Sequence, residues 1–289
     1  MSENSRSLRG GCMLLLAAVI WGGGFVAGKM ALTTLTPFAV LAWRFGSAGV
    51  LCFLLFARRI LRTPRRTALC GCAIGCIQVC ALGLQLTGLQ YTTSAKQSFL
   101  CTAYVALTPF VSALLLRTRV DRRAVAAGLL SLGGIGLICL SGSLTLQFGD
   151  ALSLGFAALF AVQVVLTGRF VAKDTDSIQF SFFHFLTAAV LSLALCLVRG
   201  DVLMCFGRES LIGVAYLALL NTLAAFLLQN AAQKWVKDTT ASLLISLESV
   251  FGFLCSVLYY HDVLSARLLI GGALCFCAVL LNSVRREKT

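Results

Sequence analysis

Acidic residues, histidine and proline are scarce in this chain. Its 289 residues include 11 Asp and Glu against 24 Lys and Arg, with two histidines and three prolines. An enzyme built among apolar helices would need several histidines and carboxylates grouped at helical spacing, and this sequence has no such group. We therefore expect no enzyme, no catalytic residue and no metal site.

Nucleotide-binding and nucleic-acid-binding motifs are also lacking. No G-x-x-x-x-G-K-[ST] segment occurs, so we expect neither an ATP motor of that type nor a cofactor. The glycines from Gly22 to Gly28 lie in an apolar stretch, where small residues allow close helix packing. The formal charge of +13 does not indicate nucleic-acid binding, because the basic residues are spread over many connectors without any recognised signature beside them.

Apolar residues, in contrast, are abundant and come in long runs. Hydrophobic residues make up 59% of the chain and charged residues 12%. A bilayer core of about 30 Å takes about 20 helical residues. We therefore predict an all-α integral membrane protein with ten transmembrane helices and short connectors. The predicted spans are 10–31, 38–57, 68–88, 95–116, 124–141, 150–170, 178–198, 209–232, 240–260 and 266–284.

Basic residues concentrate in alternate connectors, which indicates a defined orientation. The positive-inside rule then places both termini in the cytoplasm. The basic residues predicted on the cytoplasmic side are Arg6, Arg9, Arg58, Arg59, Arg62, Arg65, Arg66, Arg117, Arg119, Arg122, Arg123, Arg169, Lys173, Lys234, Lys237, Arg285, Arg286 and Lys288. Those near the other side are Lys29, Lys96, Arg199, Arg208 and Arg267.

The two halves of the sequence match weakly. A shift of 140 positions sets Gly28 on Gly168 and Arg44 on His184. Five helices per half is an odd number, so the second half must enter the membrane from the opposite side. We therefore predict two inverted five-helix repeats, an architecture in which one central site opens alternately to either face. The predicted repeats are 10–141 and 150–284.

Ionisable residues inside the predicted spans are candidate functional groups, because such groups cost at least about 2.5 kcal/mol at a helix centre. Glu248 in the ninth span is either a proton-coupling carboxylate, a partner for a substrate amine, or a structural carboxylate bonded to a neighbouring helix. Arg44 either clamps a substrate carboxylate, forms a structural pairing, or snorkels to the outer interface. His184 either relays protons or packs as a satisfied core residue.

Uncharged side chains in the spans add further candidates. Aromatic residues either line a cavity or fill helix contacts, and those considered are Trp21, Tyr104, Phe99 and Phe183. Amide side chains either meet a substrate or bridge helices, and those considered are Gln78, Gln163, Asn221 and Gln229. Thr108 and Pro109 are predicted to interrupt the fourth helix near its centre, which makes them a candidate gate or hinge.

Cysteine is frequent, with 13 residues, nearly all in apolar stretches where a free thiol behaves as a small hydrophobe. Cys72, Cys76 and Cys80 recur at every fourth position, beside Gly71 and Gly75. One interpretation is coordination of a soft metal. Close helix packing through small residues explains the same spacing and is favoured.

Several different short motifs are spread along the whole chain. Trp21–Val26 reads W-G-G-G-F-V, Leu41–Phe45 reads L-A-W-R-F, and Ser246–Phe251 reads S-L-E-S-V-F. Further segments of this kind are Tyr91–Lys96, Tyr104–Pro109 and Gln233–Val236. Together these segments resemble the EamA-type ten-helix branch of the drug/metabolite transporter superfamily. The sequence departs from the family's pattern at two helix ends, Tyr260-His261-Asp262 and Arg117-Thr118-Arg119.

The resemblance implies a secondary active transporter that moves a small organic metabolite, amino-acid-like or drug-like, across the cytoplasmic membrane by alternating access. It favours export, with protons as a candidate coupling ion. The expected partners are the metabolite and the lipid bilayer, with no nucleic acid and no ATP site. The alternative is a non-transporting membrane sensor or scaffold, which a large soluble appendage would favour.

Overall fold

The computed structural model describes residues 3–117, 122–139, 147–171, 175–261 and 266–283. Within these ranges the chain is helical and contains no strand. Helices form because a backbone in lipid must satisfy its N–H and C=O groups within its own segment. The helices are α1 (Glu3–Ala31), α2 (Pro37–Ile60), α3 (Arg65–Leu89), α4 (Ser94–Cys101), α5 (Tyr104–Leu116), α6 (Arg122–Cys139), α7 (Phe148–Phe170), α8 (Ser177–Arg199), α9 (Arg208–Tyr216), a π-helical segment (Leu217–Ala224), α10 (Ala225–Ala232), α11 (Asp238–Ile245), α12 (Glu248–Tyr260) and α13 (Ala266–Ser283).

Eight helical stretches of the described residues are long and apolar enough to cross a membrane. They are Arg6–Ala31, Pro37–Ile60, Arg65–Leu89, Ser94–Leu116, Phe148–Phe170, Ser177–Arg199, Arg208–Ala232 and Asp238–Tyr260. The other two predicted spans are occupied by α6 and α13, which have 18 residues each and pack against each other. The all-α architecture is therefore confirmed, whereas a count of ten crossings remains a prediction.

Some residues on which the sequence predictions depend lie outside the described residues. They are Thr118, Arg119, Lys173, Asp262, Arg285, Arg286 and Lys288.

The stretch Ser94–Leu116 is broken between α4 and α5, at Thr102 and Ala103. There the amide of Thr102 donates to the carbonyl of Phe99 at 3.2 Å, and the amide of Val105 donates to the carbonyl of Thr102 at 3.0 Å. Both bonds join residues three apart, so the backbone forms tight turns there instead of α-helix. Thr108 and Pro109 lie inside α5. The interruption predicted at these two residues is therefore wrong. Pro109 has no N–H to donate to the carbonyl of Val105, which lies in the first turn of α5.

The stretch Asp238–Tyr260 is broken in the same way between α11 and α12. The amide of Ser249 donates to the carbonyl of Ser246 at 3.1 Å, and that of Val250 to Leu247 at 3.0 Å. Each broken stretch consists of an 8-residue helix followed by a 13-residue helix. Each is directly followed by a residue of left-handed conformation, Arg117 at φ 53° and His261 at φ 52°. The two stretches thus share one pattern of segments.

Glycines, rather than the neighbouring cysteines, bring α3 against α8. A Cβ atom on Gly71 would lie 2.6 Å from the carbonyl oxygen of Phe180, and one on Gly75 would lie 2.8 Å from that of His184. Cys76 is exposed on the outer face of α3. Small residues therefore allow these two backbones to touch, as helix packing in lipid requires.

Candidate functional site

A polar cavity lies among helices that come from both halves of the chain. About 490 Å³ of space lies between its walls, a figure that includes open solvent. Its walls combine two charged residues with several amides and aromatic rings. The charged residues are Arg44 and Glu248, the amides are Gln78, Gln85, Gln97 and Asn221, and the rings are Trp21, Phe25, Phe156, Phe160 and Phe226.

Arg44 is held in place by the π-helical segment. It is only 2% exposed, and its Nε donates to Thr222 Oγ1 at 2.8 Å while its Nη2 donates to Asn221 Oδ1 at 2.7 Å. The side chain therefore does not extend to an interface, and the snorkelling interpretation does not describe it. A planar guanidinium held on one edge offers its remaining donors to a carboxylate.

Asn221 joins α1 to this arrangement. Its Nδ2 donates to the carbonyl of Ile20 at 3.3 Å, and its own backbone carbonyl accepts from Trp21 Nε1 at 2.8 Å. A Cβ atom on Gly24 would collide with the Asn221 amide, so the glycine makes room for it. A π-helix changes the usual i→i−4 pairing, and such segments occur frequently at functional sites.

Glu248 is the first residue of α12, directly after the helix break, and is 5% exposed. The ion pairs among the described residues are Arg59–Asp176, Lys96–Asp150 and Arg199–Asp201. Within the part of the chain that the structure describes, Glu248 therefore has no cationic partner although it is buried.

A buried ion pair lies at the end of the cavity where α4 and α7 begin. Lys96 Nζ lies 2.8 Å from Asp150 Oδ1 and 2.9 Å from Oδ2, and Asp150 is fully buried. The next residue, Gln97, lines the cavity. The ion pair therefore joins two helices from different halves of the chain beside the cavity.

Several predicted residues lie elsewhere. His184 is fully buried among Phe45, Phe185 and Phe226, and neither ring nitrogen has a partner among the described residues. Gln163 bonds Thr167 within its own helix at 3.3 Å. The other candidates that do not line the cavity are Tyr104, Phe99, Phe183, Gln229, Thr108 and Pro109.

Six aromatic and amide residues that line the cavity were not among the candidates. They are Phe25, Gln85, Gln97, Phe156, Phe160 and Phe226. Gln85 could have been identified from the sequence, because it lies seven residues after the candidate Gln78 and therefore on the same face of α3. Phe156 and Phe160 also share a face, but the sequence does not distinguish a cavity from a helix contact there.

Comparisons with known proteins agree over nearly the whole chain. The model of the EamA-like transporter family matches residues 8–140 and again 147–284. One relative from Archaeoglobus fulgidus, named an uncharacterized transporter, is 29% identical over 98% of this chain and 89% of its own length. A second from the same organism, with the same name, is 24% identical over 96% and 98%. A solved crystal structure covering 98% of this chain and 97% of its own superposes with a TM-score of 0.74 at 21% identity, which shows a shared fold alone.

Apolar helices that cross a bilayer several times around a polar cavity, together with these relatives, define a multi-pass membrane transporter. The chain belongs to the EamA-like transporter family, and its resemblance to the drug/metabolite transporter superfamily is confirmed. Membership implies a small-molecule substrate and a lipid environment.

Proposed function

We propose that this protein is a secondary carrier for a small zwitterionic metabolite, amino-acid-like or drug-like, and that it works by alternating access across the cytoplasmic membrane. One observation carries the proposal. The cavity between the two halves holds a buried basic residue, Arg44, and a buried acidic residue, Glu248, that form no ion pair with each other or with another described residue. Buried charges without a counter-charge are costly and mark functional sites in membrane proteins.

The two charges suit the two ends of a zwitterion. Arg44 is oriented by Asn221 and Thr222 and would bind a carboxylate through its free donors. Glu248 would bind an ammonium group or carry a proton in exchange for one. Trp21, Phe156 and Phe160 supply apolar surface for the remainder of the substrate.

Alternating access is supported by how the two halves correspond. Arg65–Leu89 and Arg208–Ala232 have 25 residues each, and the broken stretches Ser94–Leu116 and Asp238–Tyr260 have 23 each. The family model matches each half separately. In transporters built from inverted repeats, the site lies at the repeat interface beside broken helices. We therefore propose that 10–141 and 150–284 are inverted repeats of five membrane helices each.

The orientation follows from the basic connectors. With both termini in the cytoplasm, α3 ends and α4 begins at the outer side, which places Leu89 and Gln97 in the outer part of the cavity. We propose protons as the coupling ion, with Glu248 as the group that carries them, and export as the direction of net transport.

The test is uptake of a mixed metabolite pool into proteoliposomes, with and without an imposed pH gradient, read by mass spectrometry against protein-free vesicles. We expect selective accumulation that grows with the gradient. Accumulation only to equilibrium would replace the coupled carrier by a facilitator. Folded protein that moves no member of the pool would favour a sensor or scaffold instead.

A further inference from the structure

Amide side chains from α3 and α4 form one wall of the cavity. Gln78 is fully buried and lines the cavity, and neither its Oε1 nor its Nε2 has a hydrogen-bond partner among the described residues. A buried amide without partners is destabilising, and native proteins keep few of them. The Gln78 amide is therefore a candidate for contact with something that enters the cavity.

Gln97 presents a second acceptor with a fixed orientation. Its Nε2 donates to the carbonyl of Gln85 at 2.7 Å and to Ser153 Oγ at 3.2 Å. Because the carbonyl can only accept, the nitrogen must face it and the oxygen must face away. Gln97 Oε1 then has no partner among the described residues, while the side chain lines the cavity.

Asn221 provides a contrast from the other half of the chain. Gln78 is the fourteenth residue of Arg65–Leu89, and Asn221 is the fourteenth residue of Arg208–Ala232. Asn221 uses both amide atoms within the protein, accepting from Arg44 and donating to the carbonyl of Ile20. Gln78, at the matching position, forms no hydrogen bond to another helix among the described residues. A bridge between helices therefore does not explain why a glutamine lies there.

We propose that Gln78 and Gln97 form an amide subsite that binds a neutral group of the substrate carrying an N–H donor and a C=O acceptor side by side, as in a carboxamide or a ureido group. This inference rests on the proposed function and names a substrate class for the same cavity. The substrate N–H donates to Gln97 Oε1 and Gln78 Oε1, and its C=O accepts from Gln78 Nε2.

Selectivity follows from the fixed oxygen of Gln97. An apolar group of equal size leaves the amide atoms unpaired, and sites built to hydrogen-bond a substrate reject analogues that lack the bonding group. A carboxylate in the same place brings its oxygen against Gln97 Oε1 without any proton between them. The subsite therefore favours a carboxamide over both an apolar group and a carboxylate.

The test is equilibrium binding to the purified full chain in lipid nanodiscs, with labelled L-glutamine and L-methionine as probes of equal chain length. The wild type should bind glutamine at least about tenfold more tightly than methionine, a factor that equals about 1.4 kcal/mol. Gln78→Leu should reduce that ratio by about tenfold or more, mainly through weaker binding of glutamine.

Gln229→Leu is the matched control. Gln229 is fully buried with both amide atoms without partners among the described residues, as in Gln78, but it does not line the cavity. Its replacement should leave the ratio unchanged. If Gln78→Leu does not fold, Gln78→Glu removes the donor while retaining the shape, and should also lose the preference for glutamine.

An unchanged ratio in a folded Gln78 variant, or a wild type that binds methionine as well as glutamine, overturns the subsite. Uptake of the metabolite pool by the same purified protein in proteoliposomes distinguishes a failure of the subsite from a failure of the proposed carrier. Flux without preference for glutamine removes the subsite alone, whereas preferred binding of glutamine without any flux removes the carrier and keeps the subsite.

Discussion

Tyr104 and Glu248 occupy matching positions in the two broken stretches, because each begins the 13-residue helix that follows a break. Both residues directly follow the tight turns that separate α4 from α5 and α11 from α12. Because each lies next to a break, a change in bend at either helix would move the hydroxyl relative to the carboxylate. A change in bend between α11 and α12 would therefore move the Glu248 carboxylate at the cavity.

Replacing the Glu248 carboxylate tests its part in coupling. A glutamine cannot take up and release a proton as the carboxylate does, so Glu248→Gln should lower flux driven by a pH gradient by about tenfold or more, an effect of about 1.4 kcal/mol. The protein should still be found folded in the membrane. Uptake by proteoliposomes with and without the gradient measures the effect.

Glu209→Gln is the control, since Glu209 is an exposed carboxylate in the first turn of α9. Its flux should match that of the wild type. Unchanged, still proton-sensitive flux in Glu248→Gln would remove Glu248 from the mechanism.

A substitution at Gly24 tests whether substrate binding depends on the position of the Arg44 guanidinium. A methyl group on Gly24 would displace the Asn221 amide that holds the Arg44 guanidinium. Gly24→Ala should therefore raise the half-saturating substrate concentration by about tenfold, an effect of about 1.4 kcal/mol, with a smaller change in maximal rate. Concentration-dependent uptake separates the two parameters.

The matched variant is Gly46→Ala on α2, where an added Cβ atom meets nothing within 4 Å. It should transport like the wild type, and removing a helical glycine should stabilise it slightly. Equal half-saturation in both alanine variants would show that Asn221 does not orient Arg44 for binding.

The Lys96–Asp150 ion pair should contribute to stability because it is buried. Removing one partner of a buried pair costs about 3–5 kcal/mol, since a charge is left without compensation. Lys96→Met and Asp150→Asn should each lower the melting temperature by about 6 °C or more. Thermal unfolding in detergent measures the shift.

Arg199 and Asp201 give the comparison, because their closest atoms are 3.8 Å apart and the arginine is 63% exposed. Arg199→Gln should change the melting temperature by no more than about 2 °C, as expected for a surface pair. The double variant Lys96→Met with Asp150→Leu should be more stable than either single variant. Equal melting temperatures for wild type and single variants would contradict this account.

The helix boundaries could be predicted from the sequence because the bilayer permits few alternatives. The predicted span 38–57 is Pro37–Ile60 in the structure, and 178–198 is Ser177–Arg199. The break in Ser94–Leu116 could not be placed, because Pro109 is visible in the sequence whereas the tight turns at Thr102 and Ala103 have no residue type that marks them.

The cavity could be predicted only where a residue stood out from its surroundings. Arg44 and Glu248 line it and were recognised because charge is rare in apolar spans. Phe156 and Phe160 were missed because a phenylalanine is equally common against lipid, against a helix and in a cavity. His184 matched Arg44 in the repeat, yet its neighbours are aromatic rings, and only the fold could show this.

The orientation can be tested with a cysteine that the protein already has. Cys205 is exposed in the connector between α8 and α9, which the positive-inside rule places outside. A variant that keeps only Cys205 should react with a membrane-impermeant maleimide in intact cells. In the same background without Cys205, Arg62→Cys adds a thiol at an exposed position of the connector between α2 and α3, on the predicted cytoplasmic side. It should react only after the membrane is opened. The reverse pattern would place Leu89 and Gln97 in the cytoplasmic part of the cavity and would contradict the proposed orientation.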